Sequence, residues 1–213
     1  MSPAMIDTDK RLIAILRGIT SDEVPAIIHR LIDCGFRAIE IPLNSPNAMT
    51  SIEMATHIIK SRLGADALIG AGTVTDPQQV EQVAKAGGNL IVSPHSDVDI
   101  IAKAKAYGLQ SYPGVFTATE AFTALKAGAT GLKLFPASLL GVSGIKALKA
   151  VLPPSAPLYA VGGIGADDFA AYAKAGVTGF GLGTSFYQPE MSADDLEARA
   201  HQAIRAMQDA FYP

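Results

Sequence analysis

Short apolar runs alternate along this chain with longer segments whose apolar residues recur at helical spacing, and the alternation repeats eight times. The runs are LIAILRG from Leu12, AIEIPLN from Ala38, LIGAGTV from Leu68, LIVSPH from Leu90, QSYPGVF from Gln110, GLKLFPA from Gly131, LYAVGGI from Leu158 and GFGLGTSF from Gly179. Runs this short and apolar predict buried strands. Intervening stretches such as DEVPAIIHRLIDCG and DPQQVEQVAKAGG predict helices with one apolar face. Strand starts fall about twenty to thirty residues apart, the size of a βα unit. Eight such units without a linker or composition break predict an α/β fold, a single (β/α)8 TIM barrel forming one domain over residues 1–213. An open doubly wound sheet is the alternative, but the early GxGxxG turn of many such sheets is absent.

The ends of the elements repeat as well. AKAGGNLIVSP, LKAGATGLKLFP and AKAGVTGFGLGTS each join a small-residue helix to a strand through a glycine stop. Asp22, Asp76, Thr117 and Asp167 stand where they can cap the following helix. Pro42, Pro94, Pro113 and Pro136 fall near the C-terminal ends of their runs, where ladder pairing stops. Those ends form the mouth of a barrel, the face on which active sites are built.

Alternation along a strand then sorts side chains between the two faces. In AIEIPLN, the aliphatic Ile39, Ile41 and Leu43 suit the layer between strand and helix, which turns Glu40 and Asn44 into the barrel. In GLKLFPA, Leu132 and Leu134 take the outer face, and Lys133 and Phe135 point inward. Arg17 shares parity with Ile13 and Ile15, Thr73 with Ala71, and Val161 with Gly163.

Two readings of the inward Lys133 and Glu40 compete. One is a buried ion pair serving the core, but such pairs stabilise weakly because desolvation offsets the attraction, and leucine fills a core more simply. The other is chemistry. An apolar barrel and a nearby cation both disfavour the charged ammonium, leaving a neutral amine able to attack a carbonyl. A carboxylate beside it can carry protons between substrate, water and imine. The glycine-rich runs Val161 to Gly165 and Gly181 to Ser185 close the last two strands, where backbone N–H groups of such barrels often hold phosphate.

Composition narrows the partner. The chain is 49% hydrophobic but only 7% aromatic, so the core is aliphatic and alanine-rich. Net charge is −3, with pI near 5.8 and no Lys/Arg-rich run, which argues against a nucleic-acid partner. A small anion needs only one or two cations and remains compatible. Cys34, the single cysteine, cannot form an internal disulfide, and its Ile-Asp-Cys-Gly setting predicts a packed thiol. MSPAMIDTDKR has acidic residues and no apolar stretch, so no signal peptide is expected. No apolar run approaches the roughly 20 residues of a membrane span. A cytoplasmic protein without a membrane partner is the expectation. His29, His57, His95 and His201 lack the spacing of a helix-borne metal site, and neither metal nor other cofactor is expected. His95, after Pro94, and Tyr112, before Pro113, fall near the mouth as candidate ligand contacts.

AILRG, EIPLNSP, IGAGTV, GLKLFPA and AVGG, in that order, resemble the 2-keto-3-deoxy-6-phosphogluconate/6-phosphogalactonate aldolase family over nearly the whole chain. The resemblance implies a class I aldolase. Lys133 matches the Schiff-base lysine, Glu40 the general acid/base, and Arg17 the residue orienting the substrate's anionic end. Thr73 and Phe135 match residues lining the pyruvyl pocket, with Pro94 among the substrate contacts. Gly162, Gly163, Gly183, Thr184 and Ser185 match a phosphate cradle. GLGTS stands where some relatives read GLGS, which leaves two hydroxyls, Thr184 and Ser185, as candidates for the phosphate. Enzymes of the family acting on the gluconate epimer carry arginine at the position of Asn44 and threonine at that of Val161. The resemblance therefore implies the galactonate epimer as substrate and a homotrimer as assembly. The gluconate epimer, or both, is the nearest alternative. A phosphosugar epimerase or isomerase would use Glu40 as base without a covalent lysine, and a non-catalytic sensor would retain the pocket alone. An inward lysine beside Glu40 has little purpose in either.

Overall fold

The structure, a computed structural model, describes residues 10–212; most of MSPAMIDTDKR, read above as free of a signal peptide, falls outside them, as does Pro213. Strands β1 (Leu12–Ile15), β2 (Ala38–Pro42), β3 (Leu68–Gly72), β4 (Leu90–Val92), β5 (Gln110–Tyr112), β6 (Gly114–Val115), β7 (Leu132–Leu134), β8 (Leu158–Val161) and β9 (Gly179–Leu182) form one parallel sheet. Helices α1 (Val24–Asp33), α2 (Ala48–Leu63), α3 (Pro77–Lys85), α4 (Val98–Ala106), α5 (Ala118–Ala127), α6 (Ala137–Val151), α7 (Phe169–Lys174) and α8 (Ala193–Phe211) alternate with them. The sheet order β5-β4-β3-β2-β1-β9-β8-β7-β6 closes on itself, because β5 and β6 are the two halves of the run QSYPGVF. That run was expected as one strand. Pro113 divides it, since proline has no N–H to give the ladder, while its carbonyl still accepts from Lys133 N at 2.9 Å. The fold is the (β/α)8 barrel that the repeating pattern predicts.

Two apolar layers follow from the alternation. Ile39, Ile41, Ala71, Leu132 and Leu134 pack outward beneath the helices. Ile13, Ile15, Ala38, Leu68, Leu90 and Val92 fill the interior. Tyr112 and Tyr159 complete that filling edge to face, with ring centroids 5.0 Å apart. Tyr159 donates its hydroxyl to the Lys10 carbonyl (3.3 Å), just before β1, which places the pair at the strands' N-terminal end. Tyr112, expected near the mouth from its neighbour Pro113, therefore belongs to the floor: it is 5% exposed and its hydroxyl turns to Gln110 Oε1 (3.1 Å).

Asp76 and Thr117 cap α3 and α5, each within a capping box. Asp22 and Asp167 do not cap. Helix α1 starts behind Glu23, whose carboxylate accepts from Thr20 N and Oγ1, and the turn before α7 is closed by Asp168 accepting from Gly165 N. Among the described residues no helix is long and apolar enough to cross a membrane.

Candidate active site

Glu40 enters the barrel from the middle of β2 and is 2% exposed. Its carboxylate occupies space that only a glycine on the neighbouring strand leaves open: a Cβ at Gly72 would lie 1.8 Å from Oε2. That oxygen is buried, with no hydrogen-bond partner among the described residues. Burial pushes Glu40 up to about 7, against the pull of the Lys133 and Arg17 charges. Lys133, 7% exposed on β7, carries its Nζ 4.5 Å from the centroid of the Phe135 ring. Burial pushes its amine down, Glu40 opposes that, and Arg17 adds to it. One apolar chamber thus holds an amine shifted toward its neutral form and a carboxyl that can hold or release a proton near neutrality.

Arg17 follows β1 and is exposed at the mouth. Its Nη1 donates to Asn44 Oδ1 at 2.5 Å and its Nη2 to Thr73 Oγ1 at 3.3 Å. Neither partner arrives by the alternation that predicted it. Ala71, whose parity Thr73 shares, faces the outer layer. Thr73 reaches the mouth because its backbone is left-handed (φ 57°), which turns the side chain back over the barrel. Strand β2 ends at Pro42, so Asn44 is not held inward with Glu40; it is exposed in the following loop and meets the site through the guanidinium of Arg17 rather than by lining the cavity.

The chamber is a cavity of about 520 Å³. Glu40, Lys133, Phe135, Pro94 and Val161 line it, together with Ile15, which shares the parity of Arg17. Its far rim consists of Gly162 to Gly165 and Gly183 to Ser185. Gly162 and Gly163 are successively left-handed (φ 95° and 71°), and a Cβ at Gly163 would lie 2.3 Å from Ser138 Oγ. Both positions therefore require glycine, whereas at Gly183, on the other side of the rim, a Cβ would meet nothing within 4 Å and the backbone is open to a ligand. Thr184 and Ser185 are both exposed on this rim, but Ser185 Oγ donates to the Ile164 carbonyl at 2.9 Å and ties the two glycine loops together, so its proton is committed.

Other sequence candidates lie elsewhere. His95 is exposed, 3.9 Å from Asp97 Oδ2, and does not line the cavity, because the chain turns outward after Pro94 to let Asp97 cap α4. His29, His57 and His201 are exposed on helices. Cys34 is packed against the outer core and half-buried. Sequence reasoning missed Gly72 and Ser45. The parity assigned to Thr73 turned Gly72 outward and hid it, and no signal marked Ser45, a loop hydroxyl that accepts from Gly18 N.

The profile of the family described as "Aldolase: KDPG and KHG aldolase" matches residues 5–204. The chain is 50% identical over 204 residues to the probable 2-dehydro-3-deoxy-6-phosphogalactonate aldolase of Rhizobium meliloti (strain 1021), covering 96% of this chain and 94% of that one. It is 47% identical over 199 residues to the 2-dehydro-3-deoxy-6-phosphogalactonate aldolase of Escherichia coli (strain K12), covering 93% and 95%. Among solved structures it is similar to one described as "Native KDPGal structure", with a TM-score of 0.88, 47% identity, and 93% and 95% of the two chains covered.

Proposed function

The chain belongs to the KDPG and KHG aldolase family and is thus a carbon–carbon lyase, and from that premise we propose that it cleaves 2-dehydro-3-deoxy-6-phosphogalactonate to pyruvate and glyceraldehyde 3-phosphate through a Schiff base on Lys133. The observation that carries this reading is the burial of Lys133 and Glu40 in one cavity, the amine pushed down and the carboxyl pushed up.

In this mechanism the Lys133 amine attacks the C2 carbonyl, and loss of water leaves a protonated imine. Glu40 takes the C4 hydroxyl proton as the C3–C4 bond breaks, and the bonding electrons flow into the imine to give an enamine. Glyceraldehyde 3-phosphate departs. Protonation at C3 and hydrolysis then free pyruvate and regenerate the lysine. Arg17 faces the carboxylate of the keto acid, Phe135, Pro94 and Thr73 border its pyruvyl end, and the glycine rim with Thr184 takes the phosphate. Val161, 7% exposed beneath that rim, offers C4 only methyl groups, which supports the galactonate over the gluconate epimer. The same reading makes the chain one aldolase domain over residues 1–213, a cytoplasmic homotrimer, and a step in galactonate catabolism.

Two measurements on purified protein test it. Pyruvate release from the two epimeric phosphates should favour the galactonate compound. Borohydride with pyruvate should fix a reduced adduct on Lys133, located by peptide mapping, with activity retained in EDTA. An adduct on another lysine, or none, defeats the assignment.

A further inference from the structure

Arg17, though exposed, is held through both its backbone and its side chain. Its backbone is bracketed by Leu16 N donating to the Glu40 carbonyl (3.0 Å) and Gly18 N donating to Ser45 Oγ (2.9 Å). Ser45 is itself buried. On the opposite flank Gly18 is left-handed (φ 86°), and a Cβ there would lie 2.7 Å from Pro189 Cγ. The side chain is held separately, Nη1 by Asn44 and Nη2 by Thr73, one acceptor on each terminal nitrogen. Both acceptors are neutral. An aspartate would bind a guanidinium more strongly, but it would also cancel the charge. Thr73 reaches its place only through a left-handed backbone, a conformation that costs a β-branched residue energy and persists only where the surroundings impose it. An exposed arginine with no task at the mouth would need none of this.

We infer that Asn44, Ser45 and Thr73 are positioning residues that fix Arg17 at the rim with its positive charge intact, aimed at the carboxylate of a 2-keto acid. Asn44 and Ser45 are consecutive, so one short loop after β2 secures both the guanidinium and the peptide beside it. The inference rests on the reading of Arg17 as the group that meets the substrate carboxylate. It adds that Asn44 acts only through Arg17, touching no substrate itself. Preorganisation of this kind strengthens ground-state and transition-state binding alike, so it belongs in KM more than in kcat.

The test is a double-mutant cycle on the full-length enzyme, read as KM and kcat for pyruvate release. Arg17→Ala should raise KM at least about tenfold, the effect of losing a charge-assisted contact. Asn44→Ala should raise KM about 5- to 20-fold while kcat stays within about threefold. In the Arg17→Ala background, Asn44→Ala should add less than about twofold, because its only route of action is gone. Asn44→Asp keeps the shape and the hydrogen bond but sets a negative charge against the guanidinium; it should raise KM as well, and a wild-type KM there would overturn the role given to the uncompensated charge. Asn44→Ala effects that simply multiply those of Arg17→Ala, or a wild-type KM for Asn44→Ala while Arg17→Ala is impaired, overturn the proposal and leave the aldolase reading standing. A wild-type KM for Arg17→Ala overturns the assignment of Arg17 and the holder with it, whereas borohydride trapping at Lys133 reports on the Schiff base independently.

Discussion

Replacing Glu40 by glutamine separates what its charge does for catalysis from what it costs the fold. The carboxyl sits at about 7, raised from an ordinary 4.5 chiefly by burial. A group held more basic in the folded state stabilises fully below its unfolded value and loses that contribution as pH rises through its folded value. At ~1.36 kcal/mol per tenfold change in proton affinity, the ionised carboxylate costs the fold about 3 kcal/mol above pH 7. Between pH 5 and pH 8 the wild type should therefore lose about 2–3 kcal/mol that Glu40→Gln does not lose. The difference between pH values is the useful quantity, because a buried amide brings its own pH-independent hydrogen-bonding cost. Urea denaturation of both proteins at the two pH values, at one protein concentration, measures it. In parallel, kcat/KM of the wild type should climb with pH through about 7 as the base ionises, since this ratio reports the free enzyme. The variant should lose that limb and about 10²–10⁴-fold of turnover. Equal pH dependence of stability in the two proteins, or a variant that keeps the limb near 7, would show that Glu40 is not the perturbed base.

Val161→Thr should move the kcat/KM ratio toward the gluconate epimer by about 1–2 kcal/mol, one hydrogen bond gained at C4, while an unmoved ratio in a competition assay leaves the stereochemical account without support. Gly72→Ala puts a methyl 1.8 Å from Glu40 Oε2; turnover should fall about 10²-fold and stability by about 1–3 kcal/mol, and near-normal kinetics would mean the carboxylate works from another position. Light scattering at micromolar concentrations should give the mass of three chains, and a monomer throughout would remove the trimer.

Regular strands made most of this molecule legible in the sequence. Where alternation runs uninterrupted, as in β2 and β7, it places Ile39, Ile41, Leu132 and Leu134 outside and Glu40 and Lys133 inside, as observed. It fails one or two residues past a strand's end. Thr73 and Asn44 sit there, and their directions are decided by a left-handed residue and by a loop, neither of which a period of two encodes. Pro113 was read as a mark of the mouth and proved to be a break within one staggered strand, so Tyr112 was assigned to the wrong end of the barrel. Asp22 and Asp167 are plausible caps by residue type; the capping role was lost to geometry, because the chain enters α1 and α7 through turns closed by Glu23 and Asp168. The site's cations and carboxylate could be read, but the means by which Arg17 is held could not. It depends on two segments far apart in the chain, at Asn44 and Thr73, converging on one side chain.

The tyrosine floor has a kinetic corollary. With Tyr112 set against Tyr159 and Tyr159 tied to the Lys10 carbonyl, side chains fill the barrel at the strands' N-terminal end, and the chamber is bordered at the opposite end by the glycine rim. Under the proposed mechanism, a molecule bonded to Lys133 would sit deep in the chamber and its phosphate would stand at the rim. That mechanism predicts that departure is a queue: the phosphorylated aldehyde leaves first, and pyruvate, still tethered, follows. Run in the synthetic direction, the queue reverses, and pyruvate must be loaded before the aldehyde can close the way in. Product inhibition inherits this asymmetry, with pyruvate competing directly against substrate for the empty enzyme and the aldehyde acting on an enzyme already occupied.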